Sequence, residues 1–120
     1  MSTRANIDSE ILSSNCAGDR RMMRELIAMA IESMSRALLE LDAGMLERDW
    51  GRIGRTVHKL RPVLAYCGVA TIADELLRAE TDAREQTNLA ELETRMPGLI
   101  RVLRDIGVEL EEYSATLPRG

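Results

Sequence analysis

The sequence predicts an all-α protein, an antiparallel up-down four-helix bundle with a short additional N-terminal helix. Three observations predict it. Apolar residues recur at three- and four-residue spacing through four long segments, which is the period of one helix face. Short polar connections join those segments, and short connections make successive helices antiparallel neighbours. The 120 residues include one Trp, two Tyr, no Phe and seven Met, so the core must be aliphatic and methionine-filled, which suits helix packing better than a sheet. The length fits one domain, residues 1–120, large enough for one real core.

The short helix is expected over about 8–16, capped by Asp8, carrying Ile11 and Leu12, and ending before Gly18. Asp19 caps a long helix over about 19–46 whose seam is Met23, Ile27, Ala30, Met34, Leu38, Leu41 and Met45; Gly44 weakens its last turn. Asp49 caps the next, about 49–67, which packs Trp50, Ile53, Val57, Leu60 and Leu64 on one face. Gly68 follows where a helix commonly ends in a left-handed residue. Thr71 with Asp74 reads as the cap of a helix over about 70–85, with Ile72, Ala73, Leu76, Leu77, Ala79 and Ala83 apolar. Asn88 and Glu91 give a second capping pair for a helix over about 89–115. Its seam is Leu92, Met96, Leu99, Leu103, Ile106, Leu110, Tyr113 and Leu117. Pro97 and Gly98 interrupt that seam without shifting its register, so they either kink the helix or mark its true start.

His58, the only histidine, points roughly 130° away from the centre of the apolar face of its helix. It belongs to a second stripe, Gly51, Gly54, His58, Arg61 and Ala65. Each glycine inside a helix costs about 1 kcal/mol relative to alanine. Small residues here leave the imidazole standing clear and admit another protein's surface; alternatively they allow close helix packing. Arg61 adds a planar fork of donors suited to phosphate oxygens, and Lys59 a second cation on a more exposed flank. Taken singly, each has an ordinary reading as a solvated surface residue. Pro62 removes the hydrogen bond to the carbonyl of His58 and predicts a slight bend beside the imidazole.

The run His58-Lys59-Leu60-Arg61-Pro62 with Gly68 resembles the signature of histidine-containing phosphotransfer (HPt) domains, His-x-Leu-Lys-Gly with a further glycine ten residues after the histidine. His58, Leu60 and Gly68 match; Arg61 keeps the charge of the lysine; Pro62 stands where the family most often has glycine. The resemblance implies a phosphocarrier in a multistep phosphorelay, in which His58 accepts a phosphoryl group from an aspartate of one receiver domain and passes it to another. It further implies partners of two kinds, response-regulator receiver domains and a hybrid sensor histidine kinase. Arg61 and Lys59 would stabilise the phosphoryl oxygens. Gly54, Pro62 and Ala65 would meet the partner, helped by the short first helix near Ile7 and Ile11. Mg²⁺ would sit on the receiver, with no cofactor on this chain and no catalysis of its own.

The residues themselves are compatible with that chemistry. A neutral imidazole, abundant near its free pKa of about 6.5, can attack phosphorus and hold the phosphoryl group covalently. No Gly-x-x-x-x-Gly-Lys-Ser/Thr loop is present, so the phosphate must come from another protein. A di-metal bundle needs Glu-x-x-His on two helices, and the residue three before His58 is Arg55; no metal ligands are expected. Gly51-Arg52-Ile53-Gly54 matches the GXXG of a nucleic-acid module only locally, in an acidic chain of net charge −4 with interspersed charges, so no nucleic acid is expected. The sequence holds no long apolar run and no signal-peptide core, and a cytoplasmic monomer with Cys16 and Cys67 reduced is expected. Two further readings stay open: a non-phosphorylated bundle that docks on and regulates a receiver or kinase, and a structural bundle that self-associates.

Overall fold

The computed structural model describes residues 6–117; the remainder of the expected 1–120 domain span lies outside the described residues. The fold is all-helical: α1 (Ser9–Asn15), α2 (Arg20–Glu47), α3 (Trp50–Tyr66), α4 (Ala73–Glu85) and α5 (Leu89–Thr116). The helices form where apolar side chains fall at helical spacing, and α1 to α4 each stop at or just before a left-handed residue. Asp8, Asp19 and Asp49 cap α1, α2 and α3, their carboxylates accepting from free backbone N–H groups of the first turn.

The last two caps differ from expectation. Ile72, not Thr71, precedes α4 and makes no side-chain cap bond; the Thr71 hydroxyl instead donates to Asn6 Oδ1 at 2.6 Å. Asn88 adopts φ 54° and also makes no cap bond. Its amide donates to Asp82 Oδ1 at 3.4 Å, and Arg95 reaches the other oxygen of Asp82 at 2.8 Å. The buried Asp82 carboxylate thus gathers the α4–α5 turn onto α5. Pro97 lies within α5, which starts at Leu89; of the two readings of Pro97, the later start is excluded.

The contacts close into a ring. α2 packs against α3 and α5, and α4 packs against α3 and α5. Inside it lie Ile27, Met34 and Leu41 from α2, Ile53, Val57 and Leu64 from α3, Leu76 and Ala79 from α4, and Leu92, Met96, Leu103, Ile106 and Leu110 from α5. Burying each such leucine, isoleucine or methionine contributes about 1.5–3 kcal/mol. No helix among the described residues is long and apolar enough to cross a membrane.

The end of α3 fixes how α1 sits. Val69 N–H donates to Leu64 carbonyl at 2.9 Å and Gly68 N–H to Ala65 carbonyl at 3.1 Å, with Gly68 at φ +77°. This is the paired-bond helix stop in which a left-handed residue is obligatory. The freed Gly68 carbonyl accepts Asp8 N–H at 2.9 Å, and Ile7 bridges to Val69. A Cβ on Gly68 would lie 2.3 Å from the Asp8 carbonyl oxygen. Gly18 also has positive φ (+73°) but nothing within 4 Å of such a Cβ. We therefore expect Gly18→Ala to cost about 1–2 kcal/mol of unfolding free energy from the left-handed backbone alone. Gly68→Ala should cost visibly more, because it also pushes α1 off α3. Urea titration followed by circular dichroism measures both.

Candidate functional site

Ile53, Val57, Leu60 and Leu64 turn one face of α3 into the core, which leaves His58 on the outside with 60% of its side chain exposed. α4 lies against α3 with Leu76, Ala79 and Ala83 buried. Between them on the same seam stands Glu80, its side chain only 8% exposed. Its carboxylate reaches across to α3. His58 Nδ1 is 2.8 Å from Oε2, and Arg61 Nη1 donates to Oε1 at 2.7 Å. Arg84, one turn along α4, donates to Oε2 at 3.0 Å. One carboxylate therefore gathers the imidazole and two guanidinium groups. Withdrawal from water pushes the Glu80 carboxyl up, but the hydrogen bonds from Arg61, His58 and Arg84 outweigh it and hold the group below the ordinary carboxylate value.

The histidine geometry defines its chemistry. An ionised carboxylate only accepts hydrogen bonds, so the 2.8 Å contact puts a proton on Nδ1. In the neutral ring the lone pair then resides on Nε2, which has no hydrogen-bond partner among the described residues. The result is an exposed imidazole with the lone pair of Nε2 free and its tautomer set from behind.

Gly54 is placed differently from the open stripe described above. It is buried, and a Cβ there would stand 2.7 Å from Arg84 Cγ and 3.5 Å from the Ala83 Cβ. Its absent side chain lets α3 and α4 approach and gives the Arg84 stem a bed. The close-packing reading therefore holds for Gly54, and a bulky residue there would wedge the two helices apart. Pro62 and Ala65 are exposed. Ile11 (41% exposed), Leu77 (45%) and Tyr66 (57%) are uncovered apolar residues on α1, α4 and α3. Ile7 is buried, occupied by its bridge to Val69. Lys59 is exposed but lines the groove between α3 and α2; it does not join Arg61 at Glu80.

Sequence reasoning missed Glu80 and Arg84. The signal was available: Leu76, Glu80 and Ala83 share helical spacing, so an acid stands in an apolar seam, and a buried acid needs partners. Cys16 and Cys67 are free and buried. Burial pushes the Cys67 thiol up to about 11, with the nearby Cys16 adding to it, so it is a poor nucleophile. Among the described residues no group of His, Cys, Asp and Glu is arranged to hold a metal ion.

Compared with family models, with curated proteins and with solved structures, the chain finds no match.

Because the folded-state pKa of Glu80 is depressed, its contribution to stability is fully present above the unfolded value of about 4.3. It is lost as pH falls through the folded value. Glu80→Gln should cost about 1–2 kcal/mol at pH 7, toward the lower end for charge-assisted bonds because His58 and Arg84 are more than half exposed. The gap between wild type and variant should narrow as pH is lowered from 5 toward 3, read from urea unfolding at each pH.

Proposed function

We propose that this chain is a phosphocarrier of the histidine-containing phosphotransfer kind, a four-helix bundle in the up-down-up-down antiparallel arrangement. The ring of contacts and the short links at 48–49 and 86–88 between consecutive helices support that arrangement. The observation that carries the functional reading is the contact between His58 Nδ1 and Glu80 at 2.8 Å beneath an imidazole still 60% exposed. A merely solvated histidine has no need of a buried acid, and a structural one would not stand in water.

The transfer step follows from the tautomer. The Nε2 lone pair attacks the phosphorus of an aspartyl phosphate on a receiver domain. An N–P bond forms, the P–O bond to the aspartyl carboxylate breaks, and the carboxylate leaves with the bonding pair. The ring keeps its Nδ1 proton throughout and gains positive charge, which the Glu80 carboxylate stabilises. Return transfer runs the same step backwards to a second receiver aspartate. Such a reaction needs alignment and charge stabilisation more than further covalent chemistry. Arg61, held with His58 on Glu80, would supply the charge, and Arg84, held on the same carboxylate, would be the second cation in place of Lys59. The exposed Pro62 and Ala65 would meet the receiver, helped by the exposed Ile11 of α1. The receiver, or a hybrid sensor kinase carrying one, would bring the Mg²⁺; the chain itself would need no cofactor and no ATP.

His58→Gln should abolish labelling by a phosphorylated receiver while leaving the helical circular dichroism spectrum intact. Retained labelling of that variant would overturn the proposal, as would wild-type protein that never acquires acid-labile, alkali-stable phosphate. Arg61→Ala and Arg84→Ala should each slow transfer or shorten the phosphohistidine lifetime, with Lys59→Ala near wild type. Stopped-flow transfer and phosphate-release assays measure these.

A further inference from the structure

Charges that look interspersed along the sequence separate by element in the fold. α3 carries Arg52, Arg55, Lys59 and Arg61 and no acidic residue, whereas α1, α2, α4 and α5 each hold more acids than bases. Two of the four cations on α3 are engaged. Arg61 is held by Glu80, and Arg52 by Glu40 at 2.6 Å and Glu47 at 3.2 Å. Arg55 and Lys59 have no ion pair among the described residues, and both are exposed one turn apart.

Those two line an open groove of about 810 Å³ between α2 and α3. Its apolar lining includes the buried Ala37 and Leu60, and Leu39, 71% exposed, also lines it. Arg36 adds a cation from the α2 side, paired with Glu32 of its own helix at 3.4 Å. The two acids that line it, Glu40 and Asp49, are already committed. Glu40 is bound by Arg52, and one oxygen of Asp49 caps α3 through Arg52 N–H at 3.0 Å. The hydrogen bond from Arg52 is the largest influence holding the Glu40 carboxyl below its ordinary value, and the fields of Lys59 and Arg55 add to it. The groove thus combines an apolar strip with the charges of Arg55 and Lys59, which have no ion pair among the described residues.

We propose that the α2–α3 groove docks an acidic amphipathic helix of a partner protein, at a site separate from the His58 face. A helix laid between two helices places one apolar stripe on the groove and its flanking residues at the rim; acids at those flanks would meet Arg55, Lys59 and Arg36. A nucleic acid fits less well, because phosphates make no use of the apolar lining of Ala37, Leu39 and Leu60. Lys59 follows His58 directly and points about 100° around the helix from it. An occupant of the groove would therefore lie alongside the imidazole without covering it, and would hold a partner close to His58 while that ring stays free.

The test uses the whole chain and a fluorescein-labelled helical peptide of about five turns with leucine at helical spacing and glutamate on both flanks. Controls are the same peptide with lysine in place of glutamate, a DNA duplex and anionic vesicles. The acidic peptide should bind saturably and shift the amide resonances of Ser33, Leu39 and Thr56. Added salt should weaken binding, and the double variant Arg55→Glu/Lys59→Glu should weaken it about tenfold or more. His58→Ala should bind as wild type whether or not the phosphotransfer reading survives. The proposal is overturned by no shift at those amides, by undiminished binding to the charge-reversed variant, or by tighter binding of DNA or vesicles. It is equally overturned if His58→Ala abolishes binding, which would put the peptide on the histidine face.

Discussion

A carboxylate withdrawn from water must find donors, and Glu80 finds three. Two come from α3 and one from its own helix. That single group sets the register of α3 against α4, the protonated nitrogen of His58 and the positions of two guanidinium groups. The close approach it needs is provided by Gly54, whose missing side chain lets Arg84 lie over α3. Burying an isolated carboxylate would cost several kcal/mol; here hydrogen bonds to three partners offset the loss, and the arrangement faces solvent on its open side. The histidine is consequently firm in orientation and accessible in one direction.

The same principle recurs at two other buried acids, each used as a clasp. Asp82 gathers Thr87, Asn88 and Arg95 where α4 turns into α5. Glu109, near the far end of α5, accepts from both the backbone and the side chain of Asn6. Each sits where an irregular segment must be fastened to a helix, and each makes the fastening directional in a way that an aliphatic contact would not. The core supplies most of the favourable free energy through apolar burial; the acids select which turn lies where.

Much of the helical pattern was legible because it rests on local chemistry. Three aspartate caps, the left-handed stop at Gly68 and the spacing of Leu92 through Leu110 need only a few consecutive residues to be understood. What was hidden was tertiary. Thr71 and Asn88 look like caps, but their polar groups are recruited by Asn6 and Asp82, partners that no local window contains. Gly44 reads as a weak point in α2, yet it lies where a Cβ would meet Ile53 of α3 at 2.8 Å. His58 and Arg61 stand together on one helix and could be found together. Glu80 and Arg84 arrive from another helix, and only the acid within an otherwise apolar seam hinted at them. Lys59 stands next to His58 in sequence, yet it lines the α2–α3 groove and makes no bond to Glu80.

The tie between Asn6 and Glu109 spans 103 positions. No such link can form until Glu109 has emerged from the ribosome. The helices α2 to α4 need only their nearest neighbours and can begin to associate earlier, since contacts of short separation close with less entropy loss. The segment carrying α1 can thus be fastened to α3 through Gly68 and Val69 first, and its tie to α5 through Asn6 closes last.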